Sequence, residues 1–568
     1  MKYLKPLLIL ITTLALLGCG QTSDPKQTTT EEVKPASNPV LMAKRIEAHM
    51  QFLADDLLKG RDTASPEYEI AARYVASTLK QMGVEPGGEN GSWLQPVTFV
   101  RSTIDKESVS MSYTINGETT PIEYIEEGIV SSNPLSEQET ITAEVVFVGY
   151  GIEAPSLGHN DYDGIDVKDK IVMILAGRPA SFPSEEGAHL SSNNTKMLTA
   201  VKHGAIGIVG IHTPYQEMRY SYNRIKNYTG RPSLTWKNSD GKVHGHDEQI
   251  KARAYLSMPS AGKIFAAAGH DLNDVFKQLE NNEVPLPLEL GMQMSFDYKT
   301  SHTEIVSNNV IGIIAGSDPV LKNEYVVYSA HLDHIGVRER PDTTSPFTVG
   351  DTEDLINNGA LDNASGISVM LETAREFVTR SPPKRSILFA AVTAEEKGLL
   401  GSSYFASNPT VTQSSMVANI NLDMPMILYP FGDIIAFGAQ HSSMSRMVEN
   451  ALTKMDLKLS PDPMPEQAIF TRSDHYSFVK QGVPSIFLVP GWESKDPDID
   501  GGKVFQTFLR TQYHSPSDDL NLPINYESAT TFTMVNFEIG KEIANSSEKP
   551  RWNEGNFFGD LFTKPATK

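Results

Sequence analysis

The chain has a single cysteine, Cys19, among its 568 residues. One cysteine cannot form an intramolecular disulfide, so the small secreted domains that depend on disulfides are excluded as a class. Stability must therefore come from packing, to which metal binding can add. The hydrophobic fraction of 39% and the charged fraction of 21% are those of a globular protein. The length allows more than one domain with a substantial core.

Basic residues are scarce relative to acidic ones. The chain carries 49 lysines and arginines against 70 aspartates and glutamates, which gives a formal net charge of −21. An acidic surface repels phosphate groups, so the composition argues against nucleic-acid binding and against electrostatic attachment to anionic lipid. A link to a membrane must then have another origin.

The N-terminal region contains one short apolar run. Residues 6–17 are largely apolar, and Lys2 and Lys5 lie just before them. The run is too short to span a bilayer well, and a short basic region followed by such a run is typical of a secretory signal peptide.

The apolar run ends in the sequence LLGC at Cys19, which resembles the lipobox of bacterial lipoproteins. The resemblance implies that residues 1–18 are a signal peptide and that Cys19 becomes the lipidated N-terminus. An ordinary signal peptide with a stray cysteine is the alternative. Residues 19–40 predict a flexible tether. Gly20 implies, by resemblance to Gram-negative lipoproteins, a lipid anchor in the outer membrane that faces the periplasm.

Residues 41–130 begin a larger domain with two predicted helices. Apolar side chains recur at helical spacing in residues 41–57. In the second helix Ser65 can cap the N-terminus, Pro66 suits the first turn and Gly83 ends the helix.

Residues 131–295 differ in texture from the segments on either side. They contain the sequences VVFVGYGI, DYDGIDVKDKIVMILAG and AVKHGAIGIVGI, in which strand patterns are joined by a short helical pattern. These sequences resemble the protease-associated domain, a small β-rich module inserted in many secreted peptidases. A generic α/β insertion is the alternative.

Residues 296–545 have the pattern of an α/β domain. The strand-like sequences EYVVYSA, SILFAAV, ANINLD and SIFLV alternate with helical segments such as residues 364–378. This alternation predicts a mostly parallel or mixed sheet sandwiched by helices. Residues 546–568 are predicted to form a polar C-terminal tail of unknown role.

Polar side chains suited to metal binding or proton transfer follow these strands or lie in nearby turns. They are His331, Asp333, Asp362, Glu395, Glu396, Asp423 and His514. Ligands of open α/β sheets bind beyond the carboxyl ends of the strands, where we expect these side chains to meet. Several carboxylates in one crevice would need cations to stay ionised together. Mixed imidazole and carboxylate ligation suits zinc, with manganese and cobalt as alternatives.

Each of these signals is weak when taken alone. A single histidine after a strand is more often a hydrogen-bonded core or loop residue, and Asp362 can be a helix N-cap. A glutamate pair such as Glu395 and Glu396 usually lies on a solvated face. His334 and His475 also lie within the motifs, but one histidine per metal suffices, so neither is predicted as a ligand. The predicted metal site depends on the whole set.

Six motifs occur in order along the chain: SAHLDHIG, GALDNASG, VTAEEKGLLGS, NLDM, RSDHYSF and YHSPSD. Together they resemble those of the secreted bacterial di-zinc aminopeptidases, which are related in fold to glutamate carboxypeptidase, glutaminyl cyclase and the transferrin receptor. The resemblance covers residues 41–130 and 296–545. It implies the zinc exopeptidase fold and two zinc ions per chain.

The resemblance also implies five zinc ligands. His331 and Asp423 would bind one zinc, Glu396 and His514 would bind the other, and Asp362 would bridge the two.

Further roles are implied around these ligands. Asp333 would hydrogen-bond to His331 and fix its tautomer. Glu395 would be the general base, and Tyr513 would stabilise the oxyanion. Asp518 could orient His514 or could be a turn residue. Two residues would border the bound substrate, Arg472 and Asp474.

The expected activity is that of a zinc-dependent aminopeptidase acting on peptides with a free N-terminus. Two metals can activate a water, and a glutamate can take its proton and give it to the leaving amine. Two alternatives stay open: carboxypeptidase or glutaminyl cyclase activity on the same fold, and a non-catalytic binding protein like the transferrin receptor.

Overall fold

The structure, a computed structural model, describes residues 38–338 and 354–563. The predicted signal peptide, the lipidation site Cys19 and nearly all of the predicted tether lie outside the described residues. Within the described ranges, no helix is long and apolar enough to cross a membrane. The predicted domain boundaries at residues 130, 295 and 545 stay predictions.

Fifteen α-helices lie in the described residues. In chain order they are α1 Pro39–Leu53, α2 Pro66–Met82, α3 Ser184–Ser191, α4 Asn193–Lys202, α5 Pro214–Arg219, α6 Tyr222–Tyr228, α7 Met258–Ala267, α8 Leu272–Glu280, α9 Gly366–Thr379, α10 Leu400–Ser407, α11 Met444–Thr453, α12 His475–Val479, α13 Gly501–Thr511, α14 Tyr526–Asn545 and α15 Phe557–Phe562.

Eighteen β-strands lie in the same ranges. They are β1 Glu85–Pro86, β2 Leu94–Ile115, β3 Glu118–Pro121, β4 Gly128–Val130, β5 Gln138–Phe147, β6 Glu153–Ala154, β7 His159–Asn160, β8 Ile171–Leu175, β9 Gly207–Ile211, β10 Ser233–Lys237, β11 Ala252–Leu256, β12 Leu288–Ile314, β13 Tyr325–His331, β14 Ser386–Val392, β15 Met416–Leu422, β16 Asp433–Phe437, β17 Lys458–Ser460 and β18 Ser485–Pro490.

Sixteen of these strands form one mixed sheet. Its main path has the order β17-β16-β18-β15-β13-β14-β12-β5-β8-β9-β11-β4. Strands β14, β13, β15 and β18 are parallel neighbours, whereas β16 is antiparallel to β18 and β12 is antiparallel to β14. The predicted α/β class with a mostly parallel or mixed sheet is confirmed.

Two long strands, β2 and β12, run through the middle of the sheet. They pair with each other in antiparallel register, with a register shift between Asp297 and Lys299. The first half of β12 pairs with β5, and its last residues pair with β14. The strand thus joins the region predicted as an insertion to the region that carries the six motifs.

Helices cover both faces of the parallel strands. On β13, Val326, Tyr328 and Ala330 belong to a core cluster shared with α1, α2, α9, α11 and α14. Val327, between them, belongs to a second cluster with α10 and α12. Alternate residues of a strand point to opposite faces, so both faces of this buried strand are apolar.

The helix signals near the N-terminus are confirmed. The Ser65 hydroxyl accepts a hydrogen bond from the main-chain N–H of Tyr68, and Gly83 ends α2 with a φ of 89°. That left-handed conformation strains residues with a side chain, which is why glycine is common there.

The chain after α14 packs against the protein instead of forming a free polar tail. The Trp552 indole N–H donates to the Gly482 carbonyl oxygen at 2.8 Å. Phe558 of α15 is fully buried in a cluster with Phe437, Phe470 and Tyr476. Residues 546–563 therefore complete an apolar cluster on the α12 side of the sheet.

Candidate metal centre

Three neighbouring strands end at one edge of the sheet and present polar side chains there. His331 is the last residue of β13, Asp423 directly follows β15, and Glu395 and Glu396 follow β14 after a two-residue turn. Because these strands are parallel neighbours, their carboxyl ends meet, as expected for a ligand site in an α/β sheet.

Asp362 lies at the centre of this edge, in the turn before α9, and its two oxygens face different partners. Oδ1 lies 3.2 Å from Nε2 of His331, and Oδ2 lies 3.2 Å from Nε2 of His514. On the first side, His331 Nε2 also lies 3.1 Å from Oδ1 of Asp423. One carboxylate thus stands between two groups of potential ligands.

The second group contains Glu396 and two histidines. Glu396 Oε2 lies 3.2 Å from Nε2 of His514, and Glu396 Oε1 lies 2.7 Å from Nδ1 of His334. His334 is completely buried and also lies 3.8 Å from Asp362 Oδ2. His334, which the sequence did not predict as a ligand, thus lies beside the predicted ligands.

The donor set fits metal ions of the zinc type. In three groups of side chains, the potential ligand atoms all lie within 4.8 Å of one another: His331, Asp362 and Asp423; His334, Asp362 and Glu396; and His331, Glu395 and Glu396. Imidazole nitrogens and carboxylate oxygens are common zinc ligands. His514 is in none of these three groups, but its Nε2 lies 3.2 Å from both Asp362 and Glu396, so the five predicted ligands lie close together with Asp362 between the two sides.

The electrostatics show that this cluster attracts positive charge. Burial alone would raise the pKa of Asp362, but the imidazoles of His334, His331 and His514 hold it well below its ordinary value. Burial disfavours a charged His514, but Asp362 and Glu396 raise its pKa to about 10. Carboxylates that stabilise imidazolium here would stabilise a metal cation at the same place.

The comparison with known proteins agrees with this geometry. Residues 309–539 match the model of Peptidase family M28. All five predicted metal ligands lie within this matched segment, which is called the M28 domain below.

Curated relatives of the chain include aminopeptidases. It is 29% identical over 220 residues to Aminopeptidase YwaD of Bacillus subtilis (strain 168), which covers 38% of this chain and 41% of the relative. It is 26% identical over 299 residues to Probable leucine aminopeptidase 2 of Aspergillus fumigatus, which covers 51% of this chain and 52% of the relative. The chain thus spans about half the length of these curated relatives.

Among solved structures, the chain resembles an aminopeptidase from Aneurinibacillus sp. strain AM-1. The alignment covers 90% of this chain and 95% of that chain, with a TM-score of 0.47 and 20% identity.

Asp333 of the M28 domain occupies a different position from the one predicted. The contact to His331 Nδ1, at 3.1 Å, comes from the main-chain carbonyl of Asp333 and not from its carboxylate. The carboxylate instead accepts from the hydroxyl of Thr63 and from the main-chain N–H groups of Glu395 and Glu396. A carbonyl can only accept, so Nδ1 of His331 carries the proton and Nε2 is left to face the ligand group.

Glu395 lies beside the ligand cluster. Burial raises its pKa well above the ordinary value, and the neighbouring carboxylates Glu396 and Asp423 add to that effect, while His331 opposes it. A carboxylate with a raised pKa is suited to holding a proton during a reaction.

Asp423 is held by a buried polar chain. Its Oδ2 accepts from the hydroxyl of Ser473 at 2.6 Å, and that hydroxyl in turn accepts from the side-chain amide of Asn421 at 2.8 Å. The Asn421 carbonyl oxygen accepts from Ser329 Oγ at 2.6 Å. These bonds fix the orientation of a predicted metal ligand.

The remaining predicted residues lie at different depths. The Tyr513 ring stacks on His514 with 3.8 Å between centroids, and its pKa is raised by burial and by Asp362. Arg472 is exposed. Asp474 is completely buried, and burial raises its pKa to about 7. Its charge interacts with those of His331 and Asp423, and the prediction that Asp474 borders the substrate stays a prediction.

Asp518 does not orient His514, which was one of two roles considered for it. Its carboxylate accepts from the main-chain N–H groups of Leu361 and Asp362, at 2.8 and 3.0 Å. The sequence also contains no sign that Arg61 is involved, although this completely buried side chain contacts the loop that precedes Asp362. Both residues bind main-chain atoms, and such contacts have no sequence pattern.

Proposed function

We propose that the M28 domain is a zinc-dependent aminopeptidase that removes N-terminal residues from peptides, with two zinc ions per chain. The observation that supports it best is the position of Asp362, whose two oxygens face two groups of imidazole and carboxylate ligands. His331 and Asp423 would hold one ion, Glu396 and His514 the other, and Asp362 would bridge them. His334 lies within reach of the second ion through Nδ1.

The chain's own residues supply the proton transfers. Bound zinc contributes Lewis-acid chemistry, since it acidifies water and polarises a carbonyl. The carboxylate of Glu395 takes the proton of the attacking water and passes it to the nitrogen of the leaving amine. The Tyr513 hydroxyl, next to His514, donates to the oxygen on which negative charge develops. Carboxylates near the second ligand group, or the metal there, would bind the amino group of a free N-terminus.

The test of this function compares Glu395→Gln with Glu396→Gln. We expect Glu395→Gln to keep zinc near two ions per chain while kcat falls about 10²–10⁴-fold, because only the proton acceptor is lost. Glu396→Gln, one residue further on, should lose zinc as well as activity. Metal analysis and kinetics on free-amine and N-acetylated peptides measure both effects. Full activity of Glu395→Gln, or equal cleavage of the blocked peptide, would contradict the proposal.

We further propose that the chain is a lipoprotein anchored through Cys19 and facing the periplasm. The lipobox-like sequence LLGC and the following Gly20 support this. The Cys19→Ser variant should lose labelling by a radioactive fatty acid and move to the soluble fraction. Unchanged labelling would exclude this anchor.

We also propose that residues 131–295 are a protease-associated insertion that limits access to the site. Two contacts beside the predicted site residues support this. The Trp236 indole N–H donates to the Ser403 hydroxyl in α10, and His189 Nδ1 lies 2.7 Å from the Tyr476 hydroxyl in α12. Helix α10 follows Glu395 and Glu396, and α12 follows Arg472, so both contacts are made to helices that come shortly after predicted site residues.

A further inference from the structure

The segment that leads to Asp362 is buried, although residues 357–359 have no regular secondary structure and Ala360 and Leu361 begin a short π-helical turn, Ala360–Ser365. The exposed fraction of Asn357, Asn358, Ala360 and Leu361 is 3% or less. Buried peptide groups must find hydrogen-bond partners, so something must replace water along this loop.

Arg61 supplies donors to the carbonyl oxygens of the loop. Its guanidinium donates to the carbonyl oxygens of Asn358 at 2.6 Å and Gly359 at 3.1 Å. It also donates to the carbonyl of Leu332, between His331 and Asp333, at 3.0 Å. A further bond goes to the carbonyl of Leu53 at the end of α1. All these acceptors are main-chain atoms, so the cation is used to hold backbone.

Asp518 supplies acceptors to the N–H groups of the same loop. One carboxylate oxygen accepts from Leu361 N and the other from Asp362 N, and the main-chain carbonyl of Asp518 accepts from Ala360 N at 3.0 Å. A buried cation thus binds the carbonyl groups of the loop, and a buried anion binds its N–H groups.

The loop has no room to adjust if either partner is lost. Gly359 has a φ of 61°, and a Cβ added there would lie 2.1 Å from the carbonyl oxygen of Asp362 and 2.7 Å from the His334 ring. In such close packing, a shift of the loop displaces Asp362 as well.

We propose that Arg61 and Asp518 are positioning residues that together set the place of the bridging carboxylate Asp362, and thereby the affinity of the metal centre. The inference rests on the proposed function, because it assumes that Asp362 binds metal. Arg61 lies outside the M28 match, so this role extends the site to the N-terminal segment.

Arg385 provides a matched control. It is as deeply buried as Arg61, and it also donates to main-chain carbonyls, those of Ile543 and Ser546, besides pairing with Glu324. Arg385 directly precedes β14. The seven residues of that strand place Arg385 about 20 Å from the end of the sheet at which the candidate metal ligands lie. Its loss should weaken the fold without touching the metal centre.

The experiment measures zinc dissociation constants by chelator competition for the wild type and for Arg61→Met, Arg61→Lys, Asp518→Asn and Arg385→Met. We expect Arg61→Met and Asp518→Asn to weaken zinc binding about 10–100-fold, as loss of supporting contacts does at other metal sites. Arg385→Met should lower the midpoint of thermal unfolding of the zinc-free protein but leave zinc affinity unchanged. The effect of the double variant should be less than additive, because both residues hold one loop.

Three outcomes would overturn the inference. The first is wild-type affinity in folded Asp518→Asn and in the Arg61 variants. The second is an equal loss in Arg385→Met, which would make the effect one of general stability. The third is a wild-type protein that binds no zinc, which would overturn the proposed function as well. If Arg61→Met does not fold, Arg61→Lys and Asp518→Asn carry the test, because lysine keeps the charge but cannot reach several carbonyls at once.

Discussion

Glu395 and Glu396 show how a single step along the chain separates two roles. The Glu396 carboxylate contacts the imidazoles of His334 and His514. At Glu395, the effect of burial on the pKa is instead opposed by the charge of His331, which lies on the other side of Asp362. The main-chain N–H groups of both glutamates donate to the carboxylate of Asp333, which fixes the backbone from which the two side chains leave. Two carboxylates that would repel each other in a loop are therefore directed to different partners.

His334 yields a prediction at the residue scale. We expect His334→Asn to weaken the binding of one of the two zinc ions about tenfold, because Glu396 loses the group that orients it. A titration that resolves two zinc sites measures the effect. His475→Asn is the control, since His475 is also fully buried but its ring contacts the rings of Phe470 and Phe487. Equal zinc binding by both variants would show that His334 has no such role.

At the residue scale, the sequence indicated the candidate ligands but not the residues that contact the backbone around them. His331, Asp362 and Glu396 lie in motifs that carry chemically distinctive side chains, and the parallel sheet brings them together. Arg61 and Asp518 act on carbonyl and N–H groups that every residue has. Only the folded loop shows which peptide groups need a partner.

At the scale of elements, short buried strands and capped helices were predictable. Strand β14 has the predicted bounds, residues 386–392, and α2 begins and ends at the predicted cap and glycine. The long strands β2 and β12 were missed. Their sequences mix polar and apolar residues without a long apolar run, because only part of each strand lies in a core. Pairing between the two strands stabilises the extended conformation, which the local sequence of each strand does not predict.

Glu372 of α9 gives a prediction at this scale, because it ties α1 to α9. Burial alone would raise its pKa, but His49, whose Nε2 lies 3.5 Å from the carboxylate, and the hydrogen bonds from Arg45 and Arg375 lower it to about 2. The ionised Glu372 carboxylate therefore stabilises the folded state above pH 4.5, and this stabilisation is lost as the pH falls from about 4.5 towards 2. We expect Glu372→Gln to lower the free energy of unfolding by about 3 kcal/mol at pH 7.

Urea unfolding at several pH values, with a chelator present, checks this expectation. The difference between Glu372→Gln and the wild type should shrink steadily below pH 4.5. Glu538→Gln is the control, because its pair with Lys541 on the surface of α14 contributes only a few tenths of a kcal/mol. A difference that stays constant down to acid pH would rule out the carboxylate as its source.

At the scale of the whole molecule, β12 makes the sheet continuous from the M28 domain into residues 131–295. The sequence indicated two kinds of structure here, but it did not indicate that one strand belongs to both. Residues 131–295 are also held at a second place, where the Trp236 indole N–H donates to the Ser403 hydroxyl of α10. Two points of attachment suit the proposed role of this region in limiting access to the site.

Trp236→Ala tests whether this wall limits substrate size. Loss of the contact with Ser403 should loosen the insertion, so kcat/KM for a long peptide should rise several-fold relative to that for a tripeptide. Trp552→Ala, which removes a contact of the C-terminal segment instead, should leave the ratio unchanged. If the ratio is the same in the wild type and in Trp236→Ala, the insertion does not select by length.

The packing of residues 546–563 sets an order of events during synthesis. Phe437, Phe470 and Tyr476 leave the ribosome before Phe558, which completes their cluster. Until Phe558 arrives, the nascent chain exposes aromatic surface on the α12 side of the sheet, a state in which chaperones bind and aggregation begins. A ribosome stalled before residue 552 would therefore hold an M28 domain whose last apolar cluster is still open to solvent.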